Sequence, residues 1–164
     1  MHCQVIFCVV LFLLNCAQNR NIPMTNQPLT ISAKCKGNES CAYSGQNLFV
    51  QIAITNRGSL TVGFPLAFRQ KTGPSIRLVD KRTKADAYLK TNLADHELRN
   101  EFTEILPGQS AILEWVITAV ELEQFGRPVD VTAECTLMAE IKVDSRLVEF
   151  KGADILRIVS KVPK

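Results

Sequence analysis

Histidine is almost missing from this chain: His2 and His96 are the two among 164 residues. His2 stands in the N-terminal segment expected to be cleaved, so a Ser-His-Asp arrangement has one available base, and no GxSxG accompanies the serines. A Gly-rich phosphate loop and an HExxH motif are also absent, and no Cys or His lies at zinc-ligand spacing from another. Paired carboxylates occur (Glu101 with Glu104, Glu121 with Glu123), but nothing in the spacing makes them face one cleft. Excess charge is lacking too. The balance of 19 basic and 16 acidic residues leaves +3, scattered rather than in a run, which argues against a nucleic-acid partner. These absences disfavour an enzyme and call for no cofactor and no metal.

The chain also lacks a membrane span. Its longest apolar run, Val5 to Leu14 (VIFCVVLFLL), rises only about 15 Å as a helix, roughly half the hydrocarbon thickness. That length fits a signal-peptide core, although the preceding MHCQ carries no Lys or Arg. The competing interpretation is a buried N-terminal strand or helix. The abrupt polar step at Asn15 and the loop-like NRNIPMTNQP favour processing, with residues 1–15 as the signal and 16–28 as a tether. Leu13-Leu14-Asn15-Cys16 resembles the lipobox of bacterial lipoproteins, with Asn15 where a smaller residue is usual. That resemblance implies lipidation of Cys16 and a domain held in the periplasm or at a membrane. A cut after Ala17 would instead release it.

Six cysteines divide in the same way. Cys3 and Cys8 leave with the signal, and Cys16 is the lipid candidate. Cys35 and Cys41 flank KGNES, a turn-like stretch in a disulfide-permissive compartment. Either they bridge or they remain two thiols. Cys135 points into a core as a small hydrophobe. Asn38-Glu39-Ser40 forms a glycosylation sequon, discounted because the lipobox points to bacteria.

Every strong periodicity in the remaining chain has period two. Leu48, Val50, Ile52 and Ile54 alternate with Phe49, Gln51, Ala53 and Thr55, and Asn56-Arg57-Gly58-Ser59 ends the run as a turn. From Val129 to Asp144 one face is wholly apolar and the other largely polar, which predicts a half-buried antiparallel strand with a bend or bulge near Ala139. Shorter strands are expected at Leu29–Lys34, Ile76–Val79, Ala111–Thr118, Arg146–Lys151 and Ile155–Val159. Leu106-Pro107-Gly108-Gln109 predicts a type II turn. Val120–Phe125 reads as a helical turn, and Thr91–Phe102 as a polar connection, in part helical. Trp115, between Leu113 and Ile117, is expected in the core. The expected fold is all-β: an immunoglobulin-like antiparallel β-sandwich of seven to eight strands over residues 29–164.

Three segments together, VQIAITNRGSLTVGFP (Val50–Pro65), IRLVD (Ile76–Asp80) and LPGQSAILEW (Leu106–Trp115), resemble exported bacterial Ig-like modules, among them proteinase inhibitors of the BsuPI type. The resemblance covers about half of the chain beyond the tether and implies the fold more than the activity. Two long mixed segments, Phe64–Pro74 and Leu93–Thr103, are the expected binding loops, with Phe64, Phe68, Arg69, Lys71, Asp95, His96 and Arg99 as candidate contacts. Asp95-His96-Glu97 could respond to pH, but such a cluster is usually a solvated loop. The basic turn Lys81, Arg82 and Lys84 is expected to be solvated as well. The expectation is thus a monomeric, exported module that binds another protein, a protease in its sharpest form. The alternative is a structural or assembly subunit of a cell envelope, pairing through a sheet edge or through Ile155–Val162.

Overall fold

A computed structural model describes residues 27–161. The signal segment, Cys16 and the tether as far as residue 26 lie outside the described residues, as do residues 162–164. The strands, in chain order, are β1 (Leu29–Cys35), β2 (Ala42–Tyr43), β3 (Leu48–Asn56), β4 (Val62–Phe64), β5 (Ser75–Asp80), β6 (Asp86–Tyr88), β7 (Thr103–Ile105), β8 (Ser110–Ile117), β9 (Asp130–Val143) and β10 (Arg146–Ser160). Helix α1 (Leu66–Thr72) links β4 to β5, a 3-10 helix (His96–Asn100) precedes β7, and α2 (Ala119–Glu123) follows β8. The strands beyond the expected seven or eight are two- or three-residue pieces, too short to show a period in sequence.

Two sheets enclose one core. The smaller has the order β1-β3-β8; the larger runs β2-β10-β9-β4-β7, with β5 and β6 joined to β9 beside β4. Apart from the short parallel contact of β2 with β10, the pairings are antiparallel. The alternation that predicted β3 and β9 is what joins the layers. Val50, Ile52 and Ile54 from one sheet and Val131, Ala133 and Cys135 from the other are all fully buried in the same cluster. Full burial of each larger aliphatic side chain contributes about 1.5–3 kcal/mol before chain entropy is charged against it.

The expected bulge near Ala139 does not occur. Register with β10 is unbroken from Arg146↔Val143 to Val159↔Asp130. The length of β9 is accommodated on its other edge, where β5 covers Val131 to Thr136 and β4 covers Lys142 and Val143. Asp144 and Ser145 both take positive φ (46° and 64°), which closes the β9–β10 hairpin in two residues with a twist suited to its strands. Likewise β10 is one strand, not two meeting at Gly152. A glycine stands there because a Cβ would lie 2.7 Å from the Phe150 ring and 2.9 Å from Ile31 of β1.

Turn chemistry largely follows the sequence. Gly108 has φ +77° and Gln109 N–H donates to the Leu106 carbonyl at 2.9 Å, the type II turn expected of Pro107-Gly108. Among the described residues, the two buried polar side chains, Asn56 and Asp80, both organise turns. Asn56 donates to the carbonyls of Leu60 and Ile105 (2.8 Å each) and accepts from Gly58 N–H. Asp80 accepts from the backbone N–H groups of Arg82 and Thr83 and from the Thr83 hydroxyl. The Thr83 and Arg82 bonds hold its carboxyl below the usual range. Cys35 and Cys41 are disulfide-bonded. Asn38 braces that loop through its side chain, donating to the Ala42 carbonyl and accepting from Ala42 N–H, so the sequon amide is already in use. Among the described residues, no helix is long and apolar enough to cross a membrane, and the bridge suits an oxidising, exported setting.

Candidate functional site

The segment expected as the first binding loop is mostly helix. α1 is only seven residues long, and its N-terminal Pro65 makes no side-chain cap, so little in its sequence announces it. Its end is set by Gly73 (φ +83°, ψ 169°), whose N–H donates to the Arg69 carbonyl at 2.8 Å. A Cβ on Gly73 would stand 2.5 Å from the Trp115 ring, so the half-buried tryptophan of β8 fixes how closely α1 sits against the smaller sheet.

The second segment is tied to the first. Asn92 N–H donates to the Thr72 carbonyl at 3.1 Å, which draws residues 91–95 along the end of α1. Asp95 then starts the 3-10 helix by accepting from Glu97 N–H at 3.2 Å. The result is a cleft of about 520 Å³ between these segments and the middle of the β9–β10 hairpin.

Phe68, Arg69, His96 and Arg99 all line that cleft. Phe68 is nearly buried, and both guanidinium groups lie against its ring, Arg99 at 4.9 Å and Arg69 at 5.3 Å from the centroid. Both distances fall within cation–π range. Arg69 donates to the Met138 carbonyl of β9, and its Nε is buried with no hydrogen-bond partner among the described residues. Burial, and secondarily the charge of Arg99, pushes the Arg69 guanidinium below its ordinary pKa.

The remaining three candidates lie elsewhere or act otherwise. Phe64 is a core residue of β4, fully buried and edge-on to Phe150 at 6.3 Å, because the strand continues one residue further than a loop reading allows. Lys71 is exposed on α1 and does not line the cleft, since it falls on the helix face turned from it. Asp95 serves the backbone.

Sequence reasoning missed the opposite wall. Glu140 and Glu149 line it and stand directly opposite each other across the β9–β10 ladder. The polar face of β9 already contained Glu140, but its pairing with Glu149 depends on a hairpin register that sequence did not establish. Leu93, on the rim, is fully exposed. Elsewhere, the basic turn is exposed as expected, with Arg82 3.7 Å from Asp80. Cys135 is buried, and burial, with a smaller push from Asp154, raises its thiol to about 12, which makes it a poor nucleophile. Among the described residues there is no group of three or more side chains able to hold a metal ion.

No family model matches the chain, and no curated protein matches it. Among solved structures it is similar to a structural-genomics target determined by X-ray diffraction, with 9% identity and a TM-score of 0.42 over 80% of this chain and 84% of that one. It is also similar to a protein from Archaeoglobus fulgidus, with 8% identity and a TM-score of 0.38 over 82% and 98% of the two chains. Likeness at this level carries no functional reading. The resemblance to BsuPI-type inhibitors therefore gains no family match.

Proposed function

We propose that this chain is an exported, non-enzymatic module that binds another protein through the cleft between α1 and the 3-10 helix. Lipidation at Cys16 would tether it to a membrane, and proteinase inhibition is the sharpest form the binding takes. One observation carries this reading: two segments far apart in sequence build a single cleft whose rim presents Leu93, a leucine left fully exposed. An isolated exposed leucine is ordinary, but one beside an aromatic floor flanked by two arginines has the makings of an interface anchor.

The test is a panel of purified proteases titrated with the chain, beside a Leu93→Asp variant. Stoichiometric inhibition that the variant loses supports the inhibitor form. No inhibition of any protease removes that form and leaves binding to be sought by crosslinking from position 93. Incorporation of labelled palmitate that disappears in Cys16→Ala would establish the anchor.

Assembly by strand addition has one observation in its favour. Lys151 N–H points away from β9, toward the Gln27 side chain, so the outer edge of β10 near the hairpin has no strand partner among the described residues. Leu147 and Val148 are exposed beside it. The segment Ile155–Ser160 shares the ladder to β9, and β2 joins the other edge at Val159 and Ser160 alone. A partner lost in Leu147→Asp but kept in Leu93→Asp would select this second role.

A further inference from the structure

The arginines of this molecule are not treated alike. Arg77, Arg82, Arg127 and Arg157 each have a carboxylate within ion-pair distance. Arg57, Arg69, Arg99 and Arg146 have none among the described residues; of these four, Arg69 and Arg99 share one aromatic ring, and Arg99 disfavours the charge on Arg69. Two like charges held together, one of them partly desolvated with an unpartnered Nε, are relieved by an anion placed between them. A guanidinium fork binds a carboxylate with two parallel hydrogen bonds.

The opposite wall limits what that anion can be. Glu140 and Glu149 face the same cleft and form no ion pair with either arginine. They repel a polyanion and favour a positive charge next to the bound carboxylate. His96, also on the cleft, adds a donor on the basic side.

We infer that the cleft receives one carboxylate of a bound protein segment between Arg69 and Arg99, with a basic neighbour of that carboxylate directed at Glu140 and Glu149. This rests on the protein-binding role proposed above and supplies the chemistry of its partner. A segment with an acidic residue next to a basic one fits; nucleic acid and other dense polyanions do not.

The test follows the arginine Nε–H signals of the 15N-labelled chain by NMR during titration with short peptides at millimolar concentration. Acetyl-Ala-Glu-Lys-amide offers a side-chain carboxylate, and acetyl-Ala-Gln-Lys with an unblocked end offers a terminal one. Acetyl-Ala-Gln-Lys-amide offers neither. The signals of Arg69 and Arg99 should move saturably with one or both of the first two, the better of them naming the source, and respond about tenfold more weakly to the third. Arg99→Gln should abolish the response, while Lys71→Gln, the same charge change on α1 outside the cleft, should leave it intact. An equal response to the neutral peptide, no response at all, or a stronger response to inorganic phosphate overturns the inference. Capture of a partner that survives Arg99→Gln but is lost in Leu93→Asp would sink the carboxylate pocket while leaving the binding role standing. Capture indifferent to both would sink both.

Discussion

Arg77 and Arg69 are the same residue in opposite circumstances. On the outer face of the larger sheet, Arg77 donates to Asp86 at 2.6 Å and to Glu134 at 3.2 Å, and the Asp86 bond raises its pKa. In the cleft, Arg69 meets a backbone carbonyl, an aromatic ring and a second arginine, and its pKa falls. Exposed pairs such as those of Arg77 stabilise little. What sets the cleft apart is that its two unpaired arginines share one aromatic ring and one of them is partly buried, whereas the equally unpaired Arg57 and Arg146 are exposed. Two carboxylates lie on the opposite wall and still pair with neither arginine.

The comparison can be broken from outside the charges. Gly73→Ala puts a Cβ against the Trp115 ring at a positive φ, which should cost about 3 kcal/mol and displace α1. Denaturant unfolding should show the loss. Peptide response at Arg69 should vanish while the Nε signal of Arg77 stays in place.

Removing the bridge with the double change Cys35→Ser and Cys41→Ser should destabilise by about 2–3 kcal/mol, through greater freedom of the unfolded chain. Neither cysteine lines the cleft, so binding there should be unchanged at temperatures where both proteins are folded. A loss of binding in the folded variant would mean that the cleft depends on the opposite edge of the smaller sheet, where Cys35 lies in register with Val50 and Trp115.

The closed part of the core has its own titrating group. The Cys135 thiol is raised to about 12, so the folded state holds a proton that the unfolded chain releases near pH 8.5. Its stabilising contribution is whole below about pH 8.5 and is lost as pH rises toward 12, at about 1.4 kcal/mol per pH unit. Urea midpoints measured from about pH 7 to 10 should fall accordingly, and Cys135→Ala should flatten that slope.

The smallest effects are the most discriminating. Arg77→Gln should lower stability at low salt, by an amount that shrinks as salt is added. Arg99→Gln should change stability by no more than about 0.5 kcal/mol in either direction, because the repulsion it removes and the cation–π contact it loses oppose each other. A clear destabilisation by Arg99→Gln would show that its charge supports the fold instead of waiting for a ligand.

What the sequence made legible follows from the range of the interactions involved. Alternation over β3 and β9 reported the buried face because strand period and burial coincide there. The turns at Asn56 and Pro107 were legible because their chemistry is local. Helix α1 was not, being too short for a 3.6-residue period between a proline and a glycine. Gly152 misled because a glycine in a strand looks like a break until Ile31 of another sheet is placed over it. Of the candidate site, four residues that line the cleft are singled out from the sequence: Phe68, Arg69, His96 and Arg99. That they share one cleft was not legible, since their meeting depends on the Asn92–Thr72 hydrogen bond and on the β9–β10 register that brings up the acidic wall.

One titration tests the central claim, that the two cleft arginines are left uncompensated for a partner's carboxylate. The Nε–H signals of Arg69, Arg99 and Arg77 are followed together as acetyl-Ala-Glu-Lys-amide and unblocked acetyl-Ala-Gln-Lys are each added. The account predicts that, with at least one of them, Arg69 and Arg99 shift along one saturating curve while Arg77, already paired, stays in place. Equal movement of all three, or none by the cleft pair with either peptide, would contradict it.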